Sequence, residues 1–149
     1  MSRFDTLLGA AAPVIDHPSF GPVRASARVG NGRWNWDALE LIETRHGHAD
    51  LSFEAGPDGP GSAHEVQLAA LSDQLDLLTV AATPEIRSAL ADALELSPDS
   101  PCTELEWQGA HLTGEEGTFR LNYACERWPD AMITVCFERW KPGLVQIED

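Results

Sequence analysis

Two histidines one residue apart, His46-x-His48, are the first feature of this sequence that could do chemistry. On a strand that spacing puts both imidazoles on one side, as a metal site would require. Zinc usually takes four ligands, and no third His, Cys or acid is tied to this pair by sequence. A solvated hairpin turn is the expected reading, and no metal is assigned. Cys125 or Cys136 together with His111 would supply a thiol and a base, provided that they reach each other and a third group orients the imidazole. Both cysteines fall in expected strands, however, and Cys125 continues the alternation of Phe119, Leu121 and Tyr123, which places it in the core. The G-x-S-x-G turn of a nucleophilic serine is absent. The stretch from Gly56 to Gly61 is glycine-rich, yet it lacks the G-x-x-x-x-G-K-[ST] spacing and holds Asp58 where a phosphate would be repelled. Rossmann spacing is missing too. The sequence therefore assigns no catalytic residue and no cofactor.

Carboxylates are densest at Glu104/Glu106 and Glu115-Glu116. Acid–base catalysis wants one carboxyl in an apolar pocket that shifts its proton affinity. These acids stand instead among polar neighbours, on the outer side of a strand and in a Gly-rich turn. They make better recognition elements than catalysts. Adjacent strands would gather Glu104, Glu106, Glu115, Glu116 and Glu126 into one acidic patch. Trp128, in an expected turn, and Trp140, at a strand end, would be exposed aromatic anchors beside it. These seven residues form the expected partner-binding set.

Composition points the same way. The chain has 149 residues, with 24 Asp+Glu against 10 Lys+Arg, for a formal charge of −14. A binder of nucleic-acid phosphates needs a basic patch, and so does a protein that docks on anionic lipid, so both classes are disfavoured. Fast encounter with a basic protein partner is favoured. Three cysteines, an odd number with no C-x-x-C, do not read as a secreted disulfide framework and suit reduced thiols. No apolar run reaches the roughly 20 residues of a membrane span, and Asp5 interrupts the apolar stretch that follows Met1. A cytoplasmic protein, monomeric or homodimeric, is expected.

The elements that would position these residues form one α+β domain over 20–149, after a lead-in at 1–19. Val23, Ala25, Ala27 and Val29 alternate with polar residues, and Gly30-Asn31-Gly32 is a tight-turn signal. The run from Arg33 to Thr44 puts Trp34, Trp36, Ala38 and Ile42 on one face. Leu39 and Leu41 break that pattern, which calls for a bulge near Asp37 or burial on both faces. A third strand carries Leu51 and Phe53, completing an antiparallel meander. Ser62-x-x-Glu65 reads as a capping box opening a helix with Leu68, Leu71, Leu75 and Leu78 on its buried stripe. Thr83-Pro84-Glu85 reads as the start of a second helix, with Thr as N-cap and Pro at the first position, running to about Leu96. Four further strands follow, with turns at Trp128-Pro129-Asp130 and Lys141-Pro142-Gly143. The expected order is βββ-αα-ββββ, a mostly antiparallel sheet with a helical pair on one face and Trp34 and Trp36 packed beneath it.

The opening His17-Pro18-Ser19-Phe20-Gly21-Pro22-Val23, the Trp34-x-Trp36 strand, the helical pair and the closing Ile133-Thr134-Val135-Cys136-Phe137-Glu138-Arg139-Trp140 resemble a family of small uncharacterised bacterial domains. The likeness covers about residues 17–149 and rests on order and spacing. It supplies no catalytic signature. Domains of this style are also similar to immunity proteins of bacterial toxin systems, which are small, acidic and cytosolic and block a toxin by tight binding. The resemblance thus implies a non-enzymatic inhibitor that occludes a basic toxin surface. The alternatives from sequence are a ligand-binding or enzymatic domain with a pocket between sheet and helices where His111, Tyr123 or cysteines converge, and a homodimeric accessory protein.

Overall fold

A computed structural model describes residues 14–94, 105–126 and 128–148, without the side chains of Ala93, Leu94, Trp128 and Pro129. Nine strands and one long helix occur among the described residues. The strands are β1 (Ile15–His17), β2 (Gly21–Gly30), β3 (Arg33–Ala38), β4 (Ile42–Thr44), β5 (Gly47–Ala55), β6 (Leu105–Leu112), β7 (Phe119–Cys125), β8 (Trp128–Glu138) and β9 (Lys141–Glu148). The helix, α1, spans Ser62–Leu94. All nine strands belong to one sheet in the order β1-β2-β3-β5-β6-β7-β8-β9, with β4 paired to β5 beside this path. Every neighbouring pair is antiparallel except β5 and β6, which run parallel. Parallel neighbours need a long crossover, and α1 lies in the segment that makes it.

The expected order βββ-αα-ββββ with a helical pair is therefore wrong. The helix is continuous for 33 residues, and Pro84 lies inside it. Thr83 does not cap a new helix: its hydroxyl donates to the carbonyl of Thr79 one turn back, at 2.7 Å. A proline inside a helix leaves the carbonyl four residues earlier without its donor. Here that residue is Val80, and both it and Pro84 are exposed, so water can take the donor's place. On the other side the buried stripe runs unbroken through Leu71, Leu75, Leu78, Ala82, Ile86 and Leu90. Burial of that stripe outweighs the local penalty. The end expected near Leu96 and the stop at Ser97–Pro101 lie outside the described residues.

The three-strand meander is also modified. β4 follows β3 along the same side of β5, after an interruption at residues 39–41. Between Asp37↔Ser52 and Ile42↔Ala49, four residues (38–41) run opposite two (50–51). Leu39 and Leu41 lie in this excursion and are exposed. An irregularity close to Asp37, expected from the broken alternation, is thus realised just beyond it. Ile15 to His17, expected in the lead-in, pair with β2 as an edge strand.

Strand alternation separates the two faces of the sheet. One transverse row, Ala25, Trp36, Phe53, Leu112, Phe119 and Phe137, crosses six strands in register. Each is at most 3 % exposed. Phe119 and Phe137 stack at 5.1 Å, and the Trp36 indole donates to the Gly56 carbonyl at 3.0 Å. Tyr123 is buried on the same face, where its hydroxyl meets that of Thr79 on α1 at 2.9 Å. The parallel β5–β6 contact depends on Gly109, opposite Asp50: a Cβ there would lie 1.9 Å from the Asp50 carbonyl oxygen.

The tight turn at Asn31-Gly32 forms as expected, with both residues at positive φ. The turns expected at Trp128-Pro129-Asp130 and Lys141-Pro142-Gly143 move. Trp128 begins β8 opposite Cys125, and a register shift between Tyr123 and Cys125 gives Pro129 a place in the strand. The last hairpin turns at Arg139-Trp140 rather than Lys141-Gly143, because Trp140 is anchored there by packing described below.

Candidate functional site

Of the seven residues expected to bind a partner, those with described side chains do not form one patch. Glu104 lies outside the described residues, and so does the side chain of Trp128. Glu106 is exposed on β6, and Glu126 is exposed just beyond Cys125, which pairs with Leu105. Glu115 and Glu116 are exposed at the opposite end of the same β6–β7 hairpin.

That turn is rigidly held. The buried Gln67 side chain of α1 donates to the carbonyls of Glu115 and Thr118 at 2.6 and 2.8 Å, and it accepts from the Gly114 amide at 2.9 Å. Trp140 closes the other side: its amide donates to the Gly117 carbonyl at 3.0 Å, and its indole packs on Gly117 and edge-on to Phe119. Trp140 is half-buried and structural, adjacent to the two glutamates.

The start of α1 is capped in an unexpected way. Ser62 and Glu65 do not exchange bonds; Glu65 accepts from the Ser19 hydroxyl instead. His64 performs the reciprocal bond. Its Nδ1 accepts from the Gly61 amide at 3.1 Å, so Nε2 carries the proton and donates to the Glu54 carbonyl at 2.8 Å. Burial pushes its pKa down, which keeps the ring neutral.

The sheet face turned away from the apolar core carries a second transverse row: Arg24, Asp37, Ser52, His111, Arg120 and Cys136. His111 is 8 % exposed, and its Nδ1 lies 2.7 Å from the Ser52 hydroxyl. Burial, aided by the Arg120 charge, lowers its pKa to about 4, so the ring is neutral at neutral pH. A pocket of about 270 Å³ opens beside it, lined by Asn35, Glu54, Cys136 and Glu138 among others. Val29 of β2 lines the same pocket as Glu138 of β8, although four strands (β3, β5, β6, β7) separate them in the sheet. The sheet therefore curls around this face.

The Ser52–His111 pair has part of the geometry of an activated nucleophile, but the order is different. In a catalytic triad the carboxylate orients the imidazole. Here Asp37 sits on the far side of Ser52, and the neighbour of His111 is the cationic Arg120. Cys136 shares the row with His111, but Arg120 stands between them, which puts the two roughly 10 Å apart across two strand spacings. Cys125 and Tyr123 are buried on the opposite face, so they do not converge with His111. What the arrangement offers is hydrogen bonding from a neutral imidazole. His46 is engaged with the Ser72 carbonyl at 2.7 Å, while His48 is exposed on β5. No group of three or more His, Cys, Asp or Glu side chains among the described residues is placed to hold a metal ion. No helix among them is long and apolar enough to cross a membrane.

Acids exceed bases on both sides of the molecule. The polar sheet face and its edges carry Asp37, Asp50, Glu54, Glu106, Glu115, Glu116, Asp130, Glu138 and Glu148 against Arg24, Arg33, Arg120, Arg139 and Lys141. Helix α1 carries Glu65, Asp73, Asp76, Glu85 and Asp92 against Arg87. Beside its first turns lies a groove of about 430 Å³, bounded by the 19–20 turn, β4 and α1. Phe20, Ile42, Leu68 and Ala69 supply apolar surface, and Glu43, Glu65 and Asp73 supply carboxylates. Arg45 closes one end, donating to the Ser72 carbonyl at 2.9 Å and pairing with Asp73 at 3.3 Å. At the other end His17 fixes the turn: its Nδ1 accepts from the Ser19 and Phe20 amides, and its ring stacks on Phe20 at 4.6 Å.

Sequence reasoning did not find Ser52, His64, Gln67 or the β4–α1 groove. The only signal for the groove was the His17-Pro18-Ser19-Phe20 turn. No family model matches the chain, nor does any curated protein or solved structure.

Proposed function

We propose that this chain is a non-enzymatic binding protein that recognises a basic surface on a protein partner, in the manner of an immunity-type inhibitor covering a toxin's active site. The observation that carries the reading is the largely exposed acid excess of helix α1, where Glu65, Asp73, Asp76, Glu85 and Asp92 stand against Arg87 alone. An acidic face of this kind steers a cationic partner into encounter and disfavours neutral or acidic competitors. The rigid fastening of α1 through His64, Gln67 and Arg45 supports the same reading, since a surface held in its bound shape loses less entropy on association.

The test starts from the partner retained by the tagged protein from its source cytosol at low salt. The purified partner is then titrated with wild type and with two charge variants. One variant neutralises Asp73, Asp76, Glu85 and Asp92; the other neutralises Glu106, Glu115, Glu116 and Glu126. A basic partner whose affinity falls steeply with salt, and which the helix variant weakens more than the hairpin variant, is the expected result. Affinity indifferent to salt and to both variants would refute the proposal.

A further inference from the structure

Resting on that reading, we infer that the groove between β4 and α1 is the docking site for an extended, Lys- or Arg-bearing segment of the basic partner. Three observations converge on that occupant. The floor is apolar: Phe20 is fixed beneath it by stacking on His17 and by its 4.6 Å contact with Phe53, while Ile42 and Leu68 are only partly covered. The rim is net anionic: Glu43 from β4 faces Glu65 and Asp73 from α1, against the cation Arg45, which pairs with Asp73 at the groove's end. The walls are tied together at both ends, by the Ser19–Glu65 hydrogen bond and by Arg45 and His46 on the Ser72 carbonyl.

Lysine and arginine match this combination because each has an aliphatic stem and a charged head. The stem covers apolar floor that a purely polar ligand would leave wet, and the head reaches a carboxylate at the rim. A volume of about 430 Å³ holds a few side chains rather than a folded domain, hence an extended segment. A second copy of this chain is a poor occupant, since its own surface carries the same excess of acids.

The probe is an acetylated, amidated hexapeptide of alternating Leu and Lys, compared with its Leu–Glu counterpart, each titrated into the ¹⁵N-labelled chain. The Leu–Lys peptide should shift amides at 19–20, 42–45 and 65–73 in a saturable way, and the Leu–Glu peptide should not. Ala69→Trp fills the groove from an exposed helix position and should abolish the shifts. Glu43→Gln with Asp73→Asn should weaken the peptide by at least about fivefold, without the steric change. The inference is overturned if the shifts persist in Ala69→Trp, if they spread equally to Asp76, Glu85 and Asp92, or if no saturable shift occurs. A partner that still binds Ala69→Trp at full affinity would sink the groove while leaving the acidic-face reading intact. Loss of both peptide and partner binding in the helix charge variant, with Ala69→Trp unaffected, would do the same.

Discussion

Ser52 and His111, 59 positions apart in the chain, are joined by a 2.7 Å hydrogen bond that bridges the one parallel pairing in the sheet. The bond holds a neutral imidazole on the polar face, where burial and the neighbouring Arg120 oppose its protonation and the more distant Asp37 favours it. That balance contributes to the acid sensitivity of the fold. In the unfolded chain the ring takes up a proton near its ordinary pKa of 6.5; in the folded chain it resists until about 4. Between these values the unfolded state binds more protons, so stability is fully present above 6.5 and declines as pH falls toward 4. The loss amounts to roughly 3 kcal/mol, and His64 adds to it in the same direction. Urea midpoints for wild type and His111→Gln at pH 7, 6, 5 and 4 check this. The stability gap between them should narrow by roughly 3 kcal/mol over that range; a gap independent of pH would mean that the ring is not held neutral.

The contrast between Pro84 and Ser62 shows which parts of the fold were legible in the sequence. Signals confined to a few neighbouring residues were clear: the alternation at Phe119, Leu121 and Tyr123, the turn at Asn31-Gly32 and the helix start near Ser62 all lie where expected. Thr83-Pro84-Glu85 is an equally strong local signal, but a buried stripe overrides it. Ala82 continues the spacing of that stripe from Leu78 to Ile86, past the Thr83-Pro84 signal. The parallel pairing of β5 with β6 has no local signature at all, because 59 positions separate the partners. The polar row and the groove depend on that pairing and on the path of α1. Individual acids could therefore be read as exposed, while their grouping could not.

Pro84 should be a net burden to the helix it occupies. It is exposed, and so is Val80, whose carbonyl it deprives of a donor. Pro84→Ala restores one helical hydrogen bond and removes the ring's clash with the preceding turn. A gain of about 1–3 kcal/mol is expected, visible as a raised melting temperature in calorimetry. Were Pro84 at the first position of a separate helix, the same change would be neutral or slightly unfavourable.

Arg139 and Trp140 form the β8–β9 turn with both residues at positive φ, 51° and 66°, where neither is glycine or asparagine. Trp140 is compensated by its contacts with Gly117 and Phe119. Arg139 is exposed, so its side chain has little packing to lose. Arg139→Gly should therefore stabilise the fold by up to about 1 kcal/mol, whereas Trp140→Gly should destabilise it despite relieving the same strain. Chemical denaturation of the two variants against wild type measures both signs.

Gly109 presents the most severe steric demand in the sheet. Its φ is not in the left-handed region, so conformational freedom is not the reason for glycine here; the reason is space. A methyl group would sit 1.9 Å from the Asp50 carbonyl oxygen, and both are backbone-anchored within paired strands. Neither can yield without separating β5 from β6, the contact that also supports Ser52–His111 and the row from Trp36 to Phe137. Gly109→Ala should cost more than about 3 kcal/mol, at the upper end of single-substitution effects. Gly56→Ala is the matched control: its Cβ would meet nothing within 4 Å, and it should stay within about 0.5 kcal/mol of wild type. If Gly109→Ala unfolded at the wild-type urea concentration, the close parallel approach of β5 and β6 could not be correct. Destabilisation confined to Gly109→Ala, accompanied by loss of hydrogen-exchange protection along residues 50–53 and 109–112, would locate the damage at that pairing.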